Sequence, residues 1–176
     1  YSRNRNKVLS LREGLEEIVM GSQFGYSGSS VTQKYVPGFA VGNLYGTSYR
    51  RYYDGKTDDG VHVATDLPLV ILTTGNNAGF PERDLTQRLL GNSQPKWIGG
   101  ISNSLTYKNF NLSFLFDTQQ GMDRFNQLDN FMAAFGIASY TLNREESMVF
   151  KGVTADGQPN TQLVWLGQGQ GPDGRQ

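Results

Sequence analysis

Hydrophobic and polar positions alternate most regularly between residues 95 and 117, where the chain reads PKWIGGISNSLTYKNFNLSFLFD. On the first arm Trp97, Ile101, Leu105 and Tyr107 fall on one side, with Gly99 and Asn103 between them; Ile98, Gly100, Ser102, Ser104 and Thr106 fall on the other. On the second arm Phe110, Leu112, Phe114 and Phe116 share a side, and Asn111, Ser113, Leu115 and Asp117 share its opposite. Successive side chains of a strand point to opposite faces, so each arm predicts a strand with one apolar and one mostly polar face. Lys108-Asn109 supplies a very short turn between them. Each arm exceeds the roughly 5–6 residues of an ordinary strand and approaches the ~9–11 that cross a bilayer as a tilted strand. The pattern therefore poses a question of medium: protein core or lipid.

Elsewhere the pattern is weaker. Residues 31–36 predict a short strand stopped by Pro37-Gly38, and residues 39–53 (FAVGNLYGTSYRRYY) a longer one. Residues 1–11 fit the end of a strand, and residues 12–20 either a helical turn or a strand carrying Ile18 and Val19. Residues 61–64 and 69–73 are short β candidates around Pro68, and residues 82–90 have weak helical character. The period then changes. Met122, Phe125, Leu128, Met132 and Phe135 recur every three or four positions, which predicts one amphipathic helix, with Asp123 suiting its dipole and Gly136 ending it. Gly- and Ser-rich residues 21–30, the turn-rich acidic stretch 54–60, residues 75–81 and residues 155–159 read as loops, residues 144–150 are ambiguous, residues 163–166 are a short apolar run, and the glycine-rich tail is expected to be mobile.

Composition changes this picture little. Among 176 residues, 22 are Gly, 12% are aromatic, 37% are hydrophobic, and mean hydropathy is −0.48. No apolar run of ~18 residues exists to form a transmembrane helix, yet alternating barrel strands keep average hydropathy low and remain compatible with these values. Sixteen basic and sixteen acidic residues balance, which gives no footprint for nucleic acid. The absence of cysteine excludes thiol catalysis, cysteine-ligated zinc and a disulfide framework. The chain opens at Tyr1 without Met or an apolar leader and ends on a loop-like sequence, so the expectation is a fragment of a longer polypeptide.

Candidate chemistry is sparse. His62 is the single histidine, so no two-histidine metal site can form, and an ordinary strand or loop role is expected for it. Asp54, Asp58 and Asp59 resemble a calcium loop only faintly, because Gly55 and Lys56 interrupt the alternating oxygen ligands such a loop needs. A solvated turn is the better reading. Glu16-Glu17 and Glu145-Glu146 are adjacent carboxylates and read as solvated faces rather than as a glycosidase pair. The stripe Met122 to Phe135 reads as packing before partner binding, and the Tyr and Trp residues as structural or interfacial before sugar-stacking. No catalytic, cofactor-binding or metal residue is assigned, and no substrate-binding residue is identifiable.

Several ordered segments resemble the C-terminal barrel region of the SusC/RagA family of TonB-linked outer-membrane proteins. They are Asn6-Lys7-Val8 with Leu11; Val41-Gly42-Asn43-Leu44-Tyr45-Gly46; Pro95-Lys96-Trp97-Ile98-Gly99-Gly100 with Asn103; Tyr107-Lys108-Asn109-Phe110-Asn111-Leu112-Ser113-Phe114; Phe116-Asp117 with Gly121; Arg144-Glu145; and Gly152-Val153 with Gly157-Gln158-Pro159-Asn160-Thr161. The family's acidic loop ahead of the Pro-Lys strand is degenerate here, around residues 54–60, so no bound ion is implied.

The resemblance implies an all-β fold: an antiparallel transmembrane segment of one roughly twenty-two-stranded barrel domain covering 1–176, with one short helix in an extracellular loop. The plug, the TonB box and the last strands would lie outside this chain. It implies a Gram-negative outer-membrane importer of oligosaccharides or peptides, a transporter rather than an enzyme. Its partners would be a SusD-like surface lipoprotein, outer-membrane lipid and, through the absent N-terminal region, the TonB complex; no cofactor is implied. The alternative is a soluble all-β carbohydrate-binding module, in which the apolar hairpin face would pack on a second sheet. A glycan-active enzyme would need two carboxylates converging in a cleft.

Overall fold

The computed structural model describes residues 1–24 and 30–168. Strands dominate: β1 (Ser2–Arg3), β2 (Ile18–Phe24), β3 (Ser30–Tyr35), β4 (Asn43–Tyr49), β5 (Arg83–Asn92), β6 (Trp97–Tyr107), β7 (Phe110–Gln120), β8 (Ser147–Met148) and β9 (Val164–Trp165). One α-helix, α1 (Gln127–Ala134), and 3-10 turns at Ser139–Glu145 and Leu166–Gln168 complete the described elements. The strands form sheets in the orders β1-β6-β7, β2-β3-β4-β5 and β8-β9. The all-β expectation holds. No helix among the described residues is long and apolar enough to cross a membrane, which says nothing about strands.

The chain divides into two compact units. Unit 1 comprises Tyr1–Met20, Gln33–Leu44 and Gly91–Arg124; unit 2 comprises Gly21–Thr32, Tyr45–Leu90 and Phe125–Gln176. Unit 1 is dominated by the β6–β7 hairpin, onto which β1 adds two residues, Ser2 opposite Ile98 and Arg3 opposite Trp97. Tyr1 then reaches the Trp97 ring at 5.9 Å. The segment before β4 is held by side chains. Asn6 Oδ1 accepts the Val41 N–H at 2.7 Å, and Asn92 Nδ2 donates to both Val41 O and Asn43 Oδ1. Gly42 turns the chain with φ +87°, and its carbonyl accepts Ser93 N–H and Ser93 Oγ; a side chain at this position would strike Ser93 and Gln94.

Unit 2 holds the apolar core. Every buried hydrophobic residue among those described, Val31, Tyr45, Leu67, Val70, Ile71, Ala138 and Val164, belongs to it. The short β candidates of the sequence appear here as isolated bridges rather than strands: Arg51 opposite Leu69, Val70 beside Val153 and Ile71 opposite Pro81. Helix α1 is capped by Asn126, whose side chain accepts the Asp129 N–H; just past its end Gly136 takes φ +67°, the helix-ending role its sequence predicted for that glycine.

Four expectations are corrected. Residues 82–90 are not helical but lie mostly in β5. Their Asp84-to-Arg88 spacing suits a helix, yet residues four apart also share a face in a strand, so the spacing alone cannot choose. The helix starts at Gln127 rather than Met122, because Asp123 is engaged elsewhere: its N–H donates to Asn92 O and its carboxylate accepts the Asn92 N–H. The long strand expected over residues 39–53 shrinks to Asn43–Tyr49, since Gly42 turns the chain at one end and the strand gives way to the single Arg51 bridge at the other. Residues 21–24, expected as loop, continue β2; residues 25–29 and the tail from 169 lie outside the described residues.

Candidate functional site: an apolar hairpin face and an arginine-lined cavity

The hairpin brings the two sequence patterns into phase. Its register places Ile101 opposite Phe116, Asn103 opposite Phe114, Leu105 opposite Leu112 and Tyr107 opposite Phe110. Ile101, Leu105, Tyr107, Phe110, Leu112, Phe114 and Phe116 therefore gather on one face with Trp97, while Ile98 and Leu115 stand on the other. Apart from Ile98 and Leu115 the other face is polar. Ser104 and Ser113 are hydrogen-bonded at 3.1 Å, and Thr106 donates to Asn111. Only Lys108 of the two turn residues takes positive φ, at 53°. The apolar face is open: Ile101 is 66% exposed, Leu112 58% and Phe116 68%. Gly99 makes a dent in it beside the Trp97 ring, which would meet any added Cβ at 3.1 Å.

Unit 2 contains a cavity of about 500 Å³ walled chiefly by arginine, tyrosine and carboxylate side chains. Arg88 from β5 is the central cation. Its side chain is 10% exposed and its fork meets Asp58 twice, Nη1 to Oδ1 at 2.8 Å and Nη2 to Oδ2 at 2.7 Å. Its Nε donates to Asp84 at 2.7 Å. Bidentate guanidinium–carboxylate pairs of this kind are strong and directional. The Arg88 fork, followed by the Gly60 N–H, holds the Asp58 carboxyl far below its usual range. The neighbouring Tyr53 hydroxyl is pushed up by burial first and by its hydrogen bond to Asp58 second. Across the wall Arg50 Nη1 reaches both oxygens of Glu82, at 2.9 and 3.0 Å.

The acidic stretch is thus a clasped loop. Asp58 is engaged by Arg88, and Asp59 accepts the backbone N–H groups of Val61 and His62 and faces His62 Nδ1 at 2.8 Å. Those backbone bonds, with the His62 ring, lower the Asp59 carboxyl to about 2. Among the described residues no group of three or more acidic or histidine side chains is placed to hold a metal ion. Glu17 pairs with Lys34 at 3.0 Å, while Glu16, Glu145 and Glu146 are exposed. In α1 and the segment after it, Leu128, Phe135, Ile137, Tyr140 and Leu142 are exposed. Sequence reasoning missed the Arg88 cluster because Asp58 and Arg88 stand thirty positions apart. The visible signal was a charged pair, Asp84 and Arg88, four positions apart and so on one face of a strand.

Compared with known proteins, the chain is 27% identical over 138 residues to TonB-dependent receptor P3 of Formosa agariphila. The match takes in 72% of this chain and 13% of that receptor, so the chain spans a small part of its relative's length. This distant, partial likeness supports the TonB-dependent receptor family. No family model matches the chain, and no solved structure matches it.

Proposed function

We propose that this chain is part of the wall of an outer-membrane, TonB-dependent importer and that β6 and β7 cross the bilayer. The observation that carries the reading is the in-register hairpin, eleven residues per strand, with one open apolar face. At about 3.4 Å per residue each strand is roughly 35 Å long, and a tilt of ~45° projects it to about 25 Å, the height of a barrel's apolar band. Trp97 and Tyr107 stand near opposite ends of β6, where aromatic girdles belong. The two-residue turn at Lys108-Asn109 fits the periplasmic rim, where barrel turns are short, and the polar Ser/Thr/Asn face would line the lumen.

In the same reading the protein is a SusC/RagA-type transporter, not an enzyme, and residues 1–176 belong to one barrel domain. It would import oligosaccharides or peptides together with a SusD-like surface lipoprotein. TonB would engage a region outside this chain, and the stretch from Met122 to about Thr161, with α1, would form an extracellular excursion facing partner or substrate. The motif order given above and the likeness to TonB-dependent receptor P3 support it.

The test is alternate cysteine substitution along β6 in the full-length protein, expressed in outer membranes. Ser102→Cys and Ser104→Cys should react with a membrane-impermeant maleimide. Ile101→Cys and Leu105→Cys should instead be protected and be reached by a lipid-phase probe. Equal labelling of both faces, or release of the protein without detergent, overturns the reading and favours the soluble binding module.

A further inference from the structure

We propose that Asp54-Gly55 is a site of spontaneous backbone modification, which closes to a succinimide and reopens as isoaspartate. Four Asp-Gly steps occur in the sequence, at Asp54, Asp59, Asp156 and Asp173, the last outside the described residues. The reaction needs two free groups: the side-chain carboxyl as electrophile and the following backbone nitrogen as nucleophile. Glycine favours it because no side chain shields that nitrogen. The structure sorts the three described steps by whether those two groups are free.

At Asp59 both are held. Gly60 N–H donates to Asp58 Oδ1 at 2.9 Å, and the Asp59 carboxylate accepts the Val61 and His62 N–H groups at 2.8 Å each. At Asp156 both are held as well. Gly157 N–H donates to Thr154 O at 2.9 Å, and the Asp156 carboxylate accepts the Thr154 hydroxyl. Asp54-Gly55 differs on both counts. Residues 53–56 form a turn closed by Lys56 N–H on Tyr53 O at 2.8 Å, with Asp54 and Gly55 at positive φ, 43° and 74°. This is the pattern of a type I′ turn, whose one bond uses the N–H of the fourth residue and leaves that of the third idle. Among the described residues nothing engages the Asp54 carboxylate or the Gly55 N–H. Both residues are exposed, and nothing lies within 4 Å of the position a Gly55 Cβ would take, which leaves room for the ring and for water.

The step balances with water alone. Gly55 N bonds to Asp54 Cγ, and its proton leaves with the carboxyl hydroxyl as water. Attack and electrophile belong to neighbouring residues, so the reaction is intramolecular and gains from proximity. Hydrolysis of the ring at Cγ restores aspartate. Hydrolysis at the former backbone carbonyl breaks the old peptide bond and leaves the chain running through Cβ. The backbone is then one carbon longer between Tyr53, on the cavity wall, and Asp58, in the Arg88 clasp. The assignment does not depend on the importer reading.

The experiment is warm incubation of the full-length protein, purified in detergent, in heavy-oxygen water at mildly acidic pH, followed by peptide mass spectrometry. Methyl transfer by an L-isoaspartyl methyltransferase identifies the isoaspartate. Asp54 should take up label about tenfold faster than Asp59 or Asp156, whose hydrogen bonds must be given up before the ring can close. In denaturant the three rates should converge, because the order is set by the fold and not by the dipeptide. Asp54→Glu, which could close only a six-membered ring, should remove the isoaspartate from that peptide. No label at Asp54, uptake at Asp59 or Asp156 as fast as at Asp54 in the folded protein, an order that persists in denaturant, or isoaspartate that survives Asp54→Glu overturns the assignment.

Discussion

On the hairpin, Ile101, Leu105, Leu112 and Phe116 are each more than half exposed, whereas in unit 2 Val70 and Ile71 are almost wholly buried. The two regions draw on the same residue types and differ in what their apolar side chains meet. Burying one such side chain contributes about 1.5–3 kcal/mol, so the hairpin forgoes several times that amount in water. Its polar side is modest in what it offers instead, hydroxyl and amide pairs across two strands. Unit 2 does the reverse: it closes an apolar core and settles Arg88 on Asp58 and Asp84. The lesson is that unit 2 carries its solvent inside itself and the hairpin needs one supplied.

Removing the central cation breaks the second half of that comparison most severely. Arg88→Ala leaves Asp84, a mostly buried carboxylate, without its cation, and frees Asp58. The expected loss is about 3 kcal/mol of stability, at the lower end of the range for broken buried pairs because Asp58 is partly solvated. A lowered thermal midpoint of the purified protein checks it, with the Ile101 variant below as a control that leaves unit 2 alone.

A charge on the open face tests the other half. If β6 crosses a bilayer as proposed, Ile101→Arg at mid-strand should cost about 2–4 kcal/mol, while Ser102→Arg one residue along, on the face that would line the lumen, should cost far less. Urea titration in lipid vesicles reads the difference. In a soluble protein both positions are exposed and the two variants would behave alike.

Acid gives the smallest effect and sharpens the contrast by chemistry. Asp59 is held at about 2 against an ordinary value of 3.8. A depressed carboxyl stabilises fully above its unfolded value, and the contribution is lost as pH falls from about 4 toward 2. Carboxyl NMR should show Asp59 titrating near 2, with the Val61 and His62 amides shifting in step. The apolar face of the hairpin carries no carboxyl and should not respond in that window.

The hairpin was legible because alternation with a period of two has one structural meaning when it persists for ten residues. Its register was legible too, since the two-residue turn leaves only one way to pair Tyr107 with Phe110. Strand β5 was misread because its strongest regularity, a spacing of four, is shared by both periods. The start of α1 was misread because Met122 and Phe125 fit the helical stripe, whereas Asp123 had a better hydrogen-bonding partner in Asn92. Nothing local could announce the Arg88 clasp. It depends on which distant segment arrives beside it.

The turn at Lys108-Asn109 also fixes an order of events. Once it forms, each rung of β6–β7 brings together residues that are already neighbours, and hairpins of this kind zip in about 1–10 μs. The Asp58–Arg88 clasp must instead close a loop of thirty residues. By loop-closure entropy that costs about 2 kcal/mol more than the hairpin turn. The hairpin should therefore exist as a finished unit before the cavity beside Arg88 has walls, while the rest of the chain is still searching.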